Sequence, residues 1–310
     1  MSALAGSVEV PSEVAPATIQ GRSPRQLFWM RFRQDKAALF GLCVVTILIL
    51  LAVFAGVIAH LIGHGPNEVF QAEMSDDYGI PKGPNSSFWF GADAASRDLF
   101  VRVLYGARTS LLISVVTVVL SGTIGTAIGV VSGFFGGKWV DSLFQRVMDT
   151  VLAVPGLVLL LFIAAVLGPS IRHTIIALTF LIVPSFNRVA RGEMLRIREE
   201  PYVEAARANG CSVARILFRH GLPNLFAPLV VVTTLLFAGV LIAESALSFL
   251  GIGTPPPTAS WGRMLSEGTR FLEISPWMVV FPGGALTLAV LAFNLLGDGL
   301  RDFLDPRTRR

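Results

Sequence analysis

Long apolar runs recur along this chain at Ala37 to Ala59, Thr109 to Gly137, Thr150 to Ile171, Thr174 to Asn187, Leu222 to Ala243 and Pro276 to Gly297. Each is free or nearly free of charge. About 20 helical residues cross the roughly 30 Å of hydrocarbon in a bilayer. The chain is 53% hydrophobic and 15% charged, whereas a soluble domain carries roughly a quarter charged residues. A soluble fold could not cover that apolar surface, so the fold class is an all-α membrane protein with six transmembrane helices. The fourth run is the shortest and contains Pro184, but neighbouring helices can satisfy the backbone groups that a proline frees. Without it the most basic loop would fall on the outer side.

Charge sets the expected orientation. With the N-terminus in the cytoplasm, 18 Lys and Arg fall on the inner side and 7 on the outer, as the positive-inside rule requires. The first 21 residues hold no Lys or Arg and lack the basic and apolar regions of a cleaved signal peptide, so they read as a tail. Residues Arg22 to Lys36 mix basic with aromatic and aliphatic side chains, as in a segment lying on a membrane surface. Arg97, Arg102 and Arg108 oppose the bias; the apolar stripe Leu99, Phe100, Val103, Leu104 and Ala107 between them predicts an interfacial helix outside the membrane. The mixed segment from His60 to about Tyr105 is too short for a core of its own and is expected to pack on the outer face. The expected divisions are a tail and amphipathic segment over 1–36, a first span over 37–60, an outer segment over 61–107, a five-span core over 108–300 and a cytoplasmic tail over 301–310.

Little in the chain suggests chemistry. His60, His64, His173 and His220 are scattered and Cys43 and Cys211 stand apart, with no metal-ligand or nucleophile spacing; both thiols are expected to be free. Gly133 to Lys138 resembles a phosphate loop only superficially. Ser132 stands where the first glycine is needed, and Trp139 follows the lysine. Nucleic-acid binding is not implied, because basic cytoplasmic loops account for the net charge of +4. Ser121, Gly125, Gly129 and Gly133 recur at four-residue spacing, a pattern that lets a second helix approach closely within lipid. Glu244, just after the fifth run, has two readings: a path or gate residue, or a buried hydrogen-bonding anchor. Asn187, Arg188 and Asp298 read as boundary residues.

The most informative segment is the charged loop from Arg188 to Gly221, which is too long for a simple turn. Tyr202, Val203, Glu204, Ala205, Ala206, Arg207, Ala208 and Asn209 form a short helix-prone stretch, Gly210 interrupts it, and Val213, Ile216 and Leu217 begin a second helix that enters the membrane at Leu222 and Pro223.

Glu204-Ala205-Ala206, then Gly210, then Leu222-Pro223 resembles the EAA loop of permeases in ATP-binding-cassette importers. Phe90-Gly91-Ala92-Asp93, Arg97-Asp98, Tyr105 to Leu111, Gly133 to Gly137 with Asp141 and Asp149, Arg191-Gly192-Glu193, Glu244 to Gly253, Pro256-Pro257, Ser260-Trp261-Gly262 and Asn294 to Asp298 through Asp305-Pro306-Arg307 extend the match over nearly all of residues 25 to 307. They resemble the dipeptide, oligopeptide and nickel branch, and within it the C-type subunit. Ser96 stands where that branch usually has Gly, Phe88 where His is common and Gly221 where an aliphatic residue precedes Leu-Pro. The first two would alter the outer face; the third would loosen the loop's junction with the fifth span or serve a structural role.

The resemblance implies a type I importer transmembrane domain in a bacterial inner membrane, both termini cytoplasmic. It implies a second, B-type permease, two ATPase subunits or domains and an extracytoplasmic solute-binding protein as partners, besides the lipid bilayer. This chain would bind no cofactor; ATP and Mg would sit on the ATPases. Residues 202–210 would be the coupling helix, docking helix-in-groove on an ATPase. A hydrolase or a proton-coupled carrier finds less support, the latter resting on Glu244 alone. Peptide is favoured over nickel because the spans hold no cluster of His, Cys or carboxylates.

Overall fold

The computed structural model describes residues 33–304. The surface segment expected over Arg22 to Lys36 lies outside the described residues as far as residue 32, as does the tail from 305, including the Asp305-Pro306-Arg307 match. Among the described residues strand pairing is confined to two isolated bridges, Ser75 with Pro81 and Ala92 with Asp98.

Helix α1 (Lys36–Ile62) starts where the Asp35 carboxylate accepts from the amides of Ala37 and Ala38 and stops at Gly63, whose φ of 82° the left-handed cap requires. After a short turn, α2 (Gln71–Met74), comes α3 (Leu99–Phe134), capped by Asp98 accepting from Phe100 and Val101. Helices α4 (Trp139–Ala153) and α5 (Gly156–Leu167) meet at 90°. Helix α6 (Ile171–Ile197) keeps Pro184 inside it, buried. Then come α7 (Pro201–Ala208), α8 (Val213–Ile216), a π-helical turn (Leu217–Gly221) and α9 (Leu222–Phe249). Finally α10 (Trp261–Gly268) and a 3-10 turn (Thr269–Phe271) lead to α11 (Trp277–Leu304).

Five stretches among the described residues are long and apolar enough to cross a membrane: α1, α3, α6, the run Val213–Phe249, and α11 as far as Asp302. The bent pair α4–α5 makes six if taken as one span. Exposed Phe54, Val57, Val119, Phe162 and Val166 show why the fold needs lipid around it, since side chains of this kind cover most of the outer helix faces.

The spine is α3 against α6. A Cβ on Gly125 would stand 2.6 Å from the Val183 carbonyl, one on Gly129 2.6 Å from that of Asn187, and one on Gly133 2.7 Å from that of Arg191. The small-residue stripe is therefore a packing seam, as its spacing predicts. Around it, Leu111, Leu178, Phe186, Val240 and Leu241 join one buried cluster, in which Phe237 of α9 stacks on Phe293 of α11 at 4.0 Å.

Three expectations need correction. The third run is not one straight helix, because Pro155 lacks an amide and holds Val154 extended, with ψ 132°. No separate interfacial helix carries Arg97, Arg102 and Arg108: α3 is continuous from Leu99, so the division at 107/108 falls inside it. Arg102 is 1% exposed and ion-paired, which is how its charge is tolerated on an apolar helix. Asn187 is no boundary residue either; it is 1% exposed inside α6 and donates to Gln145 of α4 at 3.3 Å, whereas Arg188 and Asp298 are exposed.

The segment before α3 packs on the neighbouring helix ends, as expected. Trp277 donates from Nε1 to the Ala92 carbonyl at 3.2 Å, Ser275 to that of Pro81 at 3.4 Å, and Phe90 stacks on Phe281 at 3.8 Å. Ser96 and Phe88 lie inside it, not on an outer face: Ser96 is buried at φ 57°, a conformation that suits glycine, and Phe88 stacks on His64 at 4.6 Å.

Candidate functional site

Helix α7 begins with Pro201 at its first position, where a missing amide costs nothing. It ends at Gly210, with φ 75°; the Gly210 amide donates to Arg207 and the Cys211 amide to Ala206. A Cβ on Gly210 would meet nothing within 4 Å, so backbone conformation, not space, calls for glycine.

Eight residues of helix with apolar side chains three apart bury one narrow face. Val203 and Ala206 point inward, onto a floor formed by Val130 of α3, Ala190, Met194 and Ile197 of α6, Ile216 and Leu225. Tyr202, Glu204, Ala205, Arg207, Ala208, Asn209 and Gly210 are exposed. The nine expected residues thus divide into two that seat the helix and seven that face outward. Asn224 at the start of α9 donates to the Tyr202 hydroxyl at 3.3 Å, and Arg207 lies 5.1 Å over the Phe134 ring. Glu204 makes no ion pair among the described residues. With Ala205, Ala208 and Gly210 beside it, the exposed surface is low in relief and open to a close-fitting partner.

The junction after the loop is continuous helix. Ser212 caps α8, and the π-helical turn carries the chain into α9 without a break. Gly221 is buried in that turn, where a Cβ would press to 3.1 Å from the Met194 sulfur. Its role is to admit Met194, not to loosen the chain.

Beside this loop lies a polar cluster whose pairing sequence reading missed. The Asp141 carboxylate accepts from Arg191 Nε at 2.7 Å and Nη2 at 2.8 Å, from the Gly137 amide at 3.0 Å and from the Ser132 hydroxyl. Gln145 donates to Ser132 at 2.8 Å and receives from Asn187. Arg198 donates to the Gly136 carbonyl at 3.0 Å. The run Gly133 to Lys138 is therefore a corner between helices in which the chain's own carboxylate takes the amide of Gly137. Asp141 in the first turn of a helix was the available signal; its partner, fifty residues on, was not readable.

Glu244 lies toward the other end of α9, fully buried. Ser248 donates to it at 2.8 Å and Ser245 at 3.4 Å, with Ser110 of α3 beside it. Ser248 in turn accepts from the Thr254 amide at 3.2 Å. The carboxyl thus pins the turn that follows α9. The structure does not bring it together with residues 202–210. Cys43 and Cys211 are both free thiols.

Comparison with known proteins places residues 125–310 under the family model described as "Binding-protein-dependent transport system inner membrane component". Residues 23–78 match the N-terminal TM domain of oligopeptide transport permease C. The chain is 39% identical over 287 residues to the dipeptide transport system permease protein DppC of Alkalihalophilus pseudofirmus, covering 93% of this chain and 91% of that one. It is 43% identical over 280 residues to a "Putative peptide permease protein" of Brucella ovis, with 89% of each covered. A "Putative peptide transport system permease protein" of Brucella abortus shares 42% over 289 residues, 93% of this chain and 94% of its own.

Proposed function

Because the chain belongs to the family of inner membrane components of binding-protein-dependent transport systems, we propose that it is the C-type permease of a peptide importer and that α7 is its coupling helix. The chain is a transport subunit, not an enzyme. The observation that carries the second half is the division of residues 202–210: Val203 and Ala206 root α7 in the membrane helices, while the other seven are presented outward. Peptide is preferred to nickel because relatives matched along nearly the whole chain carry dipeptide or peptide names.

In this reading the loop end of the bundle and both termini face the cytoplasm, as the 18-to-7 distribution of Lys and Arg favours. A B-type permease completes the path, a solute-binding protein delivers the peptide, and two ATPase subunits or domains, holding ATP and Mg, receive α7 of each permease. ATP binding closes the ATPases, moves the docked helix and favours the outward-facing state; hydrolysis releases it. A near-complete switch needs about 5.5 kcal/mol of differential binding between the two states. Glu244 anchors the outer turn in this scheme.

The test is purification of the full chain from its membrane in mild detergent, with identification of what accompanies it. A second permease and ATPase subunits are expected. Glu204→Lys or Gly210→Trp should leave insertion and the second permease in place and lose the ATPases. Retention of the ATPases and normal transport in both variants would overturn the assignment of α7.

A further inference from the structure

We propose that the Asp141–Arg191 ion pair is a positioning element that makes the broken span α4–α5 follow the coupling loop; this rests on the reading of α7 given above.

Helix α4 is attached to the rest of the molecule along one narrow stripe. Of its residues only Asp141, Met148 and Val151 are buried, and Trp139, Leu143 and Val147 are exposed. Midway along, the packing is open: an apolar cavity of about 440 Å³ separates Val147 and Met148 from Leu120 and Ile124 of α3 and Phe180 and Val183 of α6. Side chains across this opening do not close on one another, so this stretch of α4 gains little dispersion from α3 and α6. The firm attachment is at the start of the helix, where Asp141 is 5% and Arg191 31% exposed and two parallel N–H···O bonds of 2.7 and 2.8 Å join them. A two-pronged guanidinium–carboxylate pair fixes orientation as well as distance. The Ser132 hydroxyl and Gly137 amide fill the remaining acceptor positions.

Arg191 is on the part of α6 that forms the floor of the loop. Ala190 and Met194, on either side of it, pack with Val203 and Ala206 of α7, and the helix runs on through Ile197 toward Pro201. A displacement of α7 that carries the end of α6 with it therefore acts on Arg191 directly, and through Asp141 on α4. Beyond the bend at Pro155, α5 presents Leu157, Val158, Phe162 and Val166 on its exposed side. Beside the neutral Asn187–Gln145 bond of 3.3 Å and the Arg198 bond to the Gly136 carbonyl in the corner ahead of α4, the pair is the charged, two-pronged link between the ATPase-facing loop and a span with few contacts of its own.

The experiment uses the complete transporter reconstituted in lipid, with Cys43 and Cys211 replaced by serine and spin labels at Ala37 on α1, Ser142 on α4 and Ser212 in the loop, all exposed or half-exposed positions. Distances from Ala37 to the other two are measured with and without ATP and Mg. In the parent complex both should change. In Asp141→Asn and in Arg191→Gln the Ser212 distance should still change and that to Ser142 should not, with ATP hydrolysis retained; Arg191→Lys should restore the Ser142 response. A Ser142 response that survives in Asp141→Asn and Arg191→Gln, a parent complex in which α4 stays still while the loop moves, or variants in which loop response and hydrolysis vanish together, would overturn the proposal. A parent complex whose ATPases bind elsewhere and whose Ser212 distance ignores ATP would instead overturn the reading of α7.

Discussion

Nε of Arg102 lies 2.8 Å from the carboxylate of Asp93, with both side chains almost fully enclosed. Asp93 is also bound by Arg97 Nε at 2.8 Å and by the amides of Ala95 and Arg97. Arg102 reaches on to the carbonyls of Pro66 at 3.1 Å and Pro257 at 3.4 Å. One guanidinium thus joins the start of α3 to the segments on either side of it.

Replacing Arg102 with Met removes one donor from each of those carbonyls and leaves part of the Asp93 charge without a partner. Breaking a buried pair from one side costs about 3–5 kcal/mol, and the retained Arg97 places this case at the lower end. Thermal unfolding in detergent should show a clearly lowered midpoint for Arg102→Met and a smaller shift for Arg97→Met.

The seam between α3 and α6 predicts a contrast between glycines. In Gly129→Leu the side chain would meet the Asn187 carbonyl and Ala190 Cβ at under 3 Å, forcing the helices apart at a cost of about 1–3 kcal/mol or more. Gly192, one turn on along α6 from Arg188, has nothing within 4 Å of a Cβ. Gly129→Leu should sharply reduce folded protein recovered from the membrane, whereas Gly192→Ala should not.

Glu244 distinguishes an anchor from a gate. Glu244→Gln keeps an acceptor for Ser248, and transport near the parent level is expected; Glu244→Ala leaves buried hydroxyls without it, at about 1–3 kcal/mol. Loss of transport in Glu244→Gln at normal stability would instead place the carboxyl on the path.

Val203 and Glu204 are neighbours with opposite exposure, and their substitution should fail differently. Val203→Asp puts an unpaired charge on the floor of the loop and should lower thermal stability, whereas Glu204→Lys on the open face should leave stability within about 0.5 kcal/mol and lose only the ATPases. Unfolding midpoints and co-purification, measured on the same samples, separate the two.

What could be read from sequence was what depends on neighbours along the chain. Hydropathy over some twenty residues located the spans; four-residue spacing of small side chains marked the seam; the break at Gly210 between two helix-prone stretches outlined the loop. Pro155 carried the signal for the bend in the third span, but a proline alone does not say whether a helix kinks or stops. Tertiary structure alone decided which polar residues meet. Arg191 finds Asp141 and Asn187 is buried against Gln145 because α3, α4 and α6 cross in one register, while Arg102 finds Asp93 because the segment before α3 folds back on its start. That register comes from side-chain packing between segments far apart in the chain, which no local periodicity encodes. The same physics divides α7: its helical tendency is local, but that Val203 and Ala206 are its roots, leaving Glu204 and Gly210 outward, follows from the floor that α3, α6 and α9 assemble beneath it.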